Sequence, residues 1–273
     1  MNSRFPKTRE ALTEEWELCS PLELGWSSDG DTLDELHLRS NDTFDKETCY
    51  YFNKSEDLYQ KVNGSDTIDP RRGYWIKKST SETVSTSDLV SLTAFFTQLT
   101  HYDQTMKTAN GFLYTLNGDK YIVTTTHLIF DTPQSLEPQM ASMVKCRREE
   151  LELYCYSRYY DVAIYSVPNH PNFNDVTSFD TYSYSIPEHV RVNYLDPNTG
   201  NTIKVSSKYV NIVQAPIELG AVGHKLIKGA SGSAVTDIRG TLVGMVSSCG
   251  DAYDNMSLCI PAATIHSIIY NYN

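Results

Sequence analysis

The stretch Lys228-Gly229-Ala230-Ser231-Gly232-Ser233-Ala234-Val235 crowds small residues around a serine, and the apolar run Thr241-Leu242-Val243-Gly244-Met245-Val246 follows it. A serine between glycines, here Gly229 and Gly232, can sit on a tight turn with its hydroxyl exposed and backbone N–H groups converging beside it. Acyl transfer needs that arrangement, an oxygen nucleophile next to donors for the developing oxyanion. A plain Gly/Ser turn between two strands has the same composition. The choice between them rests on whether a base and an orienting carboxylate occur upstream.

Both types do occur there. Thr124-Thr125-Thr126-His127 closes the strand-like run that starts at Tyr121. A histidine at a strand end can point its ring into a cleft between lobes, where it would accept a serine proton. Asp161 leads Asp161-Val162-Ala163-Ile164-Tyr165-Ser166-Val167, an apolar strand that would otherwise leave a carboxylate poorly solvated. Taken singly, the histidine reads as a surface or satisfied core residue and the aspartate as a strand-start residue. In the order His127, Asp161, Ser231, with spacings of 34 and 70 residues, they suit two β units that meet at an interface.

The bulk of the chain is consistent with such an architecture. Its 273 residues suffice for one two-lobed domain or two ordinary ones. Acidic residues outnumber basic ones by 34 to 23, a net charge of −11, which argues against nonspecific nucleic-acid or anionic-membrane binding. No apolar run approaches membrane-spanning length, and the polar start has no signal-peptide core, so the expectation is an intracellular protein, cytoplasmic or nuclear. The six cysteines (Cys19, Cys49, Cys146, Cys155, Cys249, Cys259) form no CxxC pair and no zinc-ligand spacing, and reduced thiols are the default. In an oxidising compartment Cys146 with Cys155, and Cys249 with Cys259, would each bridge a hairpin. Sequons at Asn41, Asn53, Asn63 and Asn255 matter only on a secretory route.

The pattern divides the chain as follows. Residues 1–20 read as a polar arm, helical over residues 8–18. Residues 21–78 form a small β-rich accessory domain with strands at Thr48-Cys49-Tyr50-Tyr51-Phe52 and Gly73-Tyr74-Trp75-Ile76-Lys77 and a hairpin turn at Asn63-Gly64. The Ser/Thr-rich residues 79–88 read as a linker. Residues 89–273 carry many short strands in two groups: 89–167, with a turn at Asn117-Gly118-Asp119, and 185–262, before a helix over 262–270. The fold class is therefore mainly β: two antiparallel six-stranded barrels with the active site between them, a C-terminal helix, and a small β-rich domain in front.

Over about residues 90–273 the chain resembles the chymotrypsin-like serine proteases, closest to the compact intracellular, bacterial and viral members, including the HtrA-like type. The resemblance lies in TTTH, DVAIYSV and GASGSAV in that order. It extends to Gly111-Phe112-Leu113-Tyr114, like the family's "GxGFxY" strand, and to Leu258-Cys259-Ile260-Pro261-Ala262-Ala263, like "FAIP" before the last helix. It implies Ser231 as nucleophile, His127 as general base and then acid, and Asp161 as the group that holds the imidazole tautomer. The N–H groups of Gly229 and Ser231 would form the oxyanion hole, and no metal or organic cofactor is needed. The substrate would be a protein or peptide. The pocket for the residue before the scissile bond would be built by Lys225 and its neighbours together with Ser247, Ser248 and Cys249, with no acid placed to select basic side chains.

Three departures stand out. Ala230 occupies a position where many secreted members carry an aspartate that receives a freed N-terminal amine, so that ion pair cannot form. Ala234 replaces a proline, and Thr125 and Thr126 replace two small residues. Within 21–78, Leu22-Glu23-Leu24-Gly25 with Asp34-Glu35-Leu36, Tyr50-Tyr51-Phe52, Asn63-Gly64-Ser65 and Gly73-Tyr74-Trp75-Ile76-Lys77 resemble, in order, the "LPPGF…DEEL", "WYFF", "NGS" and "GYWK" pattern of NAC-type DNA-binding domains. Its basic cluster is limited to Arg71, Arg72, Lys77 and Lys78, few groups for phosphate contacts. Three readings stand at this point: a serine endopeptidase targeted or regulated by its N-terminal domain, a catalytically silent binding module on a protease fold, and a DNA-associated regulator.

Overall fold

The computed structural model describes residues 16–39, 44–53, 55–56, 58–77, 90–98, 101–130, 141–146, 149–167, 173, 176–184, 187–196, 201–214, 217–223, 226–248 and 256–272. The predicted linker 79–88 and the arm up to residue 15 lie outside these residues. The chain is mainly β. Four strands, β1 (Trp16–Cys19), β2 (Tyr50–Asn53), β3 (Leu58–Lys61) and β4 (Tyr74–Lys77), form an N-terminal antiparallel sheet in the order β1-β4-β2-β3, accompanied by helix α1 (Leu33–Arg39).

Two local expectations are corrected here. Trp16–Cys19 is a strand rather than the end of a helix, because alternate residues bury Trp16 and Leu18 beside Trp75. Asn63-Gly64 is not the hairpin turn. The hairpin joins β2 to β3, and Leu58-Tyr59-Gln60-Lys61 supplies a strand that the sequence reading did not assign. The Asn63 turn instead passes under α1, where Asp34 N donates to Gly64 O at 2.9 Å and a Cβ on Gly64 would collide with the Asp34 carboxyl at 2.5 Å.

The next eight strands are β5 (Val90–Gln98), β6 (His101–Leu116), β7 (Asp119–Thr124), β8 (Ala141–Cys146), β9 (Glu149–Glu150), β10 (Glu152–Ser157), β11 (Val162–Ser166) and β12 (Ser178–Phe179). They form one sheet, β10-β11-β7-β6-β5-β8-β9, with β12 added parallel to β6. The first of the two expected six-stranded barrels is thus an eight-stranded sheet, with β8–β9 beyond β5 and β12 beside β6. The second is a closed six-stranded barrel, built from β13 (His189–Leu195), β14 (Thr202–Gln214), β15 (Ile217–Val222), β16 (Ala234–Thr236), β17 (Leu242–Val246) and β18 (Ser257–Pro261) in the order β13-β14-β15-β18-β17-β16. Helix α2 (Ala262–Tyr272) follows it.

The two halves share a core because β6 and β7 are buried on both faces. Leu113 and Ile122 enter a cluster with Leu92, Ile129 and Tyr165, while Phe112, Tyr114 and Val123 enter another with Leu242, Met245, Ile260 and, from α2, Ile265 and Ile269. That two-sided burial explains why the run reads as continuously apolar rather than alternating. The β6–β7 turn carries Asn117 at φ 54 and Gly118 at φ 94, as a two-residue hairpin requires.

The N-terminal sheet sits on this body through Trp16, Leu18 and Trp75, against which Met106 of β6 packs. Beside them Lys145 of β8, 5% exposed, donates to Leu18 O at 2.8 Å and to Glu17 Oε1 at 3.2 Å. Burial alone would lower the Lys145 value, but Cys19, Glu23 and Glu17 around it more than reverse this, and the net direction is upward. The lysine therefore stays charged. Cys146 and Cys155 are both free thiols, in different core clusters, so the hairpin bridge open to them is not made, and Cys249 lies outside the described residues.

Candidate active site

His127 lies in a short 3-10 turn, Thr126–Leu128, directly after β7, and Asp161 ends the tight β10–β11 hairpin. β7 and β11 are hydrogen-bonded neighbours, with Thr124 opposite Ala163, so the two residues that leave these strand ends meet. His127 Nδ1 is 2.9 Å from Asp161 Oδ2, and the His127 backbone N–H donates to Asp161 Oδ1 at 3.0 Å. Thr126 Oγ1 donates to Oδ1 at 2.8 Å, and Ser247 Oγ donates to Oδ2 at 2.6 Å. The carboxylate thus receives four hydrogen bonds from four groups. Burial pushes its value up, but the His127 contact and charge and the Ser247 and Thr126 hydroxyls outweigh this and hold it below the usual 3.8.

The His127 side chain is 47% exposed and Asp161 23%, so the ring is reachable from solvent while its carboxylate is shielded. In the tautomer whose Nδ1–H donates to Asp161, Nε2 is an acceptor. Its contact among the described residues is the Thr125 hydroxyl at 3.4 Å, not Ser231. Asp161 adopts φ 54, a left-handed conformation that aspartate tolerates better than most residues and that costs about 1 kcal/mol or more.

Ser231 and Gly232 bridge the two halves. The Asn110 N–H of β6 donates to Ser231 O at 2.8 Å on one side, and Gly232 N–H donates to Val246 O of β17 at 2.7 Å on the other. At Gly232 (φ 84) a Cβ would stand 1.9 Å from Asn110 O, so no other residue fits. The Asn110 side chain was missed in the sequence, although it is the polar residue placed just before an apolar strand run. It is 3% exposed, and its Nδ2 donates to Gly229 O at 2.7 Å and to Leu195 O at 3.0 Å. Its Oδ1 accepts from Leu195 N at 2.8 Å, and Thr124 Oγ1 donates to its carbonyl at 2.8 Å. By holding the Gly229 carbonyl, Asn110 fixes the backbone just before Ala230-Ser231. Among the described residues, neither the Gly229 N–H nor the Ser231 N–H has an acceptor.

His127, Gly229, Ser231 and Ser248 line one cavity of about 700 Å³. The other expected substrate contacts fare differently. Ser247 is 7% exposed and spends its hydroxyl on Asp161, while Lys225 and Cys249 lie outside the described residues. No family model matches this chain, and no curated protein matches it in sequence. Solved structures do.

The Rv3671c protease of M. tuberculosis in its active form is 14% identical, covering 67% of this chain and 79% of that one, with a TM-score of 0.49. Its inactive form is 14% identical over 68% and 89%, at 0.48. The serine endoprotease from Yersinia pestis is 16% identical over 68% and 63%, at 0.46. These likenesses cover about two thirds of the chain. Among the described residues no group of histidine, cysteine and carboxylate side chains forms a metal cluster, and no helix is long and apolar enough to cross a membrane.

Proposed function

We propose that this chain is a serine endopeptidase that cleaves peptide bonds through an acyl-enzyme on Ser231. The observation that carries the reading is the His127–Asp161 pair, fastened at 2.9 Å and opening into the cavity that holds Ser231. In this scheme Ser231 Oγ attacks the scissile carbonyl carbon while His127 Nε2 takes its proton. The resulting imidazolium is stabilised by Asp161 and then gives the proton to the leaving amine, and water repeats the cycle to release the acyl group. The N–H groups of Gly229 and Ser231 receive the oxyanion, each worth about 3 kcal/mol in such sites. The N-terminal domain targets or regulates the catalytic part.

One observation favours a second reading, a protease-fold binding module without turnover: Nε2 contacts Thr125 rather than Ser231. Reaction with a fluorophosphonate probe separates the two. The wild type should be labelled and Ser231→Ala should not; an unlabelled wild type, or equal labelling of both, would falsify the peptidase.

A further inference from the structure

The cavity beside Ser231 has a wall that does not belong to the two β halves. Pro21 and Trp26 from the segment after β1, Asp29, and Arg71 before β4 line it together with His127 and Ser231. This wall is fixed to the body by the Lys145–Glu17 pair and by Trp16, Leu18 and Trp75 against Met106. It meets the catalytic part along residues 106–109 of β6, immediately before Asn110. Asn110 in turn donates its N–H to Ser231 O, so β6 joins the wall to Ser231, while Ser248, just after β17, lines the same cavity.

The charges on this cavity run against those of the whole molecule. In a chain of net charge −11, Arg71, Lys107 and Lys228 line the cavity, and among the described residues Asp29 is the carboxylate beside them. The Arg71 and Lys228 side chains are exposed. Guanidinium and ammonium groups within one cleft, with low-dielectric walls around them, concentrate the field on an incoming carboxylate. Trp26 borders this side but is only 2% exposed, and its buried Nε1–H finds no acceptor among the described residues.

We infer that the segments after β1 and before β4 of the N-terminal sheet form one wall of the substrate cleft, and that this wall receives an acidic side chain of a protein substrate to one side of the scissile bond. The placement of the scissile bond rests on the peptidase reading; the wall and its charge do not.

Two measurements test them separately. In the first, the full-length Ser231→Ala chain is titrated with hepta-glutamate and hepta-glutamine peptides, followed by tryptophan fluorescence at low salt. The glutamate peptide should bind about tenfold more tightly. That preference should shrink severalfold in Arg71→Glu and fade at about 1 M salt. The same charge reversal at the exposed Lys120, outside the cavity, should leave it in place. Equal affinities, or a preference that Arg71→Glu and Lys120→Glu reduce alike, overturn the wall.

In the second measurement, wild-type cleavage of a peptide mixture is read for Asp and Glu at positions on each side of the cut. Enrichment confined to one side of the cut supports the placement; equal enrichment on both sides, or none, overturns it. If no peptide is cut and no probe reacts, the peptidase reading fails instead, and the titration still decides the wall.

Discussion

Asn110 holds the backbone on both sides of Ala230, through Gly229 O and Ser231 O. A buried asparagine in a strand is unfavourable unless its amide is satisfied, and here all its polar atoms are bonded. Asn110→Ala removes three side-chain hydrogen bonds, an expected loss of about 3 kcal/mol in stability. A residue that only stabilised the fold would leave kcat unchanged well below the melting temperature. As a positioning residue for Gly229 and Ser231, Asn110 should instead lower kcat with KM near the wild-type value, measured on one peptide substrate. The three threonines before His127 also acquire roles that composition hides: Thr124 bonds the Asn110 carbonyl, Thr125 the imidazole and Thr126 the carboxylate.

At the scale of elements, the β10–β11 hairpin delivers Asp161 in a strained conformation to a nest of donors, and the return is a carboxylate that stays ionised. Its folded value lies below the unfolded one of about 3.9. The sign follows from that: Asp161 stabilises the fold fully above the unfolded value, and the contribution is lost as pH falls through the folded value. Asp161→Asn should therefore lower wild-type stability at neutral pH and flatten its decline below about pH 4, seen in urea melts across pH. The same variant should lose about four orders of magnitude in kcat, because the imidazole tautomer is no longer held.

Much of this level was legible. His127, Asp161 and Ser231 stand at strand boundaries that period and turn residues mark, and the Asn117-Gly118 turn and α2 fall where expected. What was not legible depends on distant partners. Nothing local to Ser247 announces that its hydroxyl serves Asp161, and β3, β15 and β16 are short runs whose pairing comes from the sheet around them.

At the scale of the molecule, the N-terminal sheet is tied down by a buried ion pair whose partners are far apart in the chain. Lys145→Met leaves Glu17 and the Leu18 carbonyl buried without their cation, and should cost about 3–5 kcal/mol, lowering Tm by on the order of 10 °C. Adding Glu17→Gln should return a large part of the loss, since replacing both charges is far milder than stranding one. A Lys145→Met chain that melts like the wild type would show that the pair does not hold the sheet. Arg71 and Trp26 reach the cavity only while this docking holds.

The Ser231-Gly232 peptide, bonded to β6 on one side and β17 on the other, also has a dynamic meaning. The two halves cannot part along this line without breaking the bonds that shape the Ser231 turn, so the proposed reaction centre belongs to their seam rather than to either half. Local opening at that seam and disassembly of the centre are then one cooperative event, and no state exists in which the halves have separated while Ser231 keeps its setting.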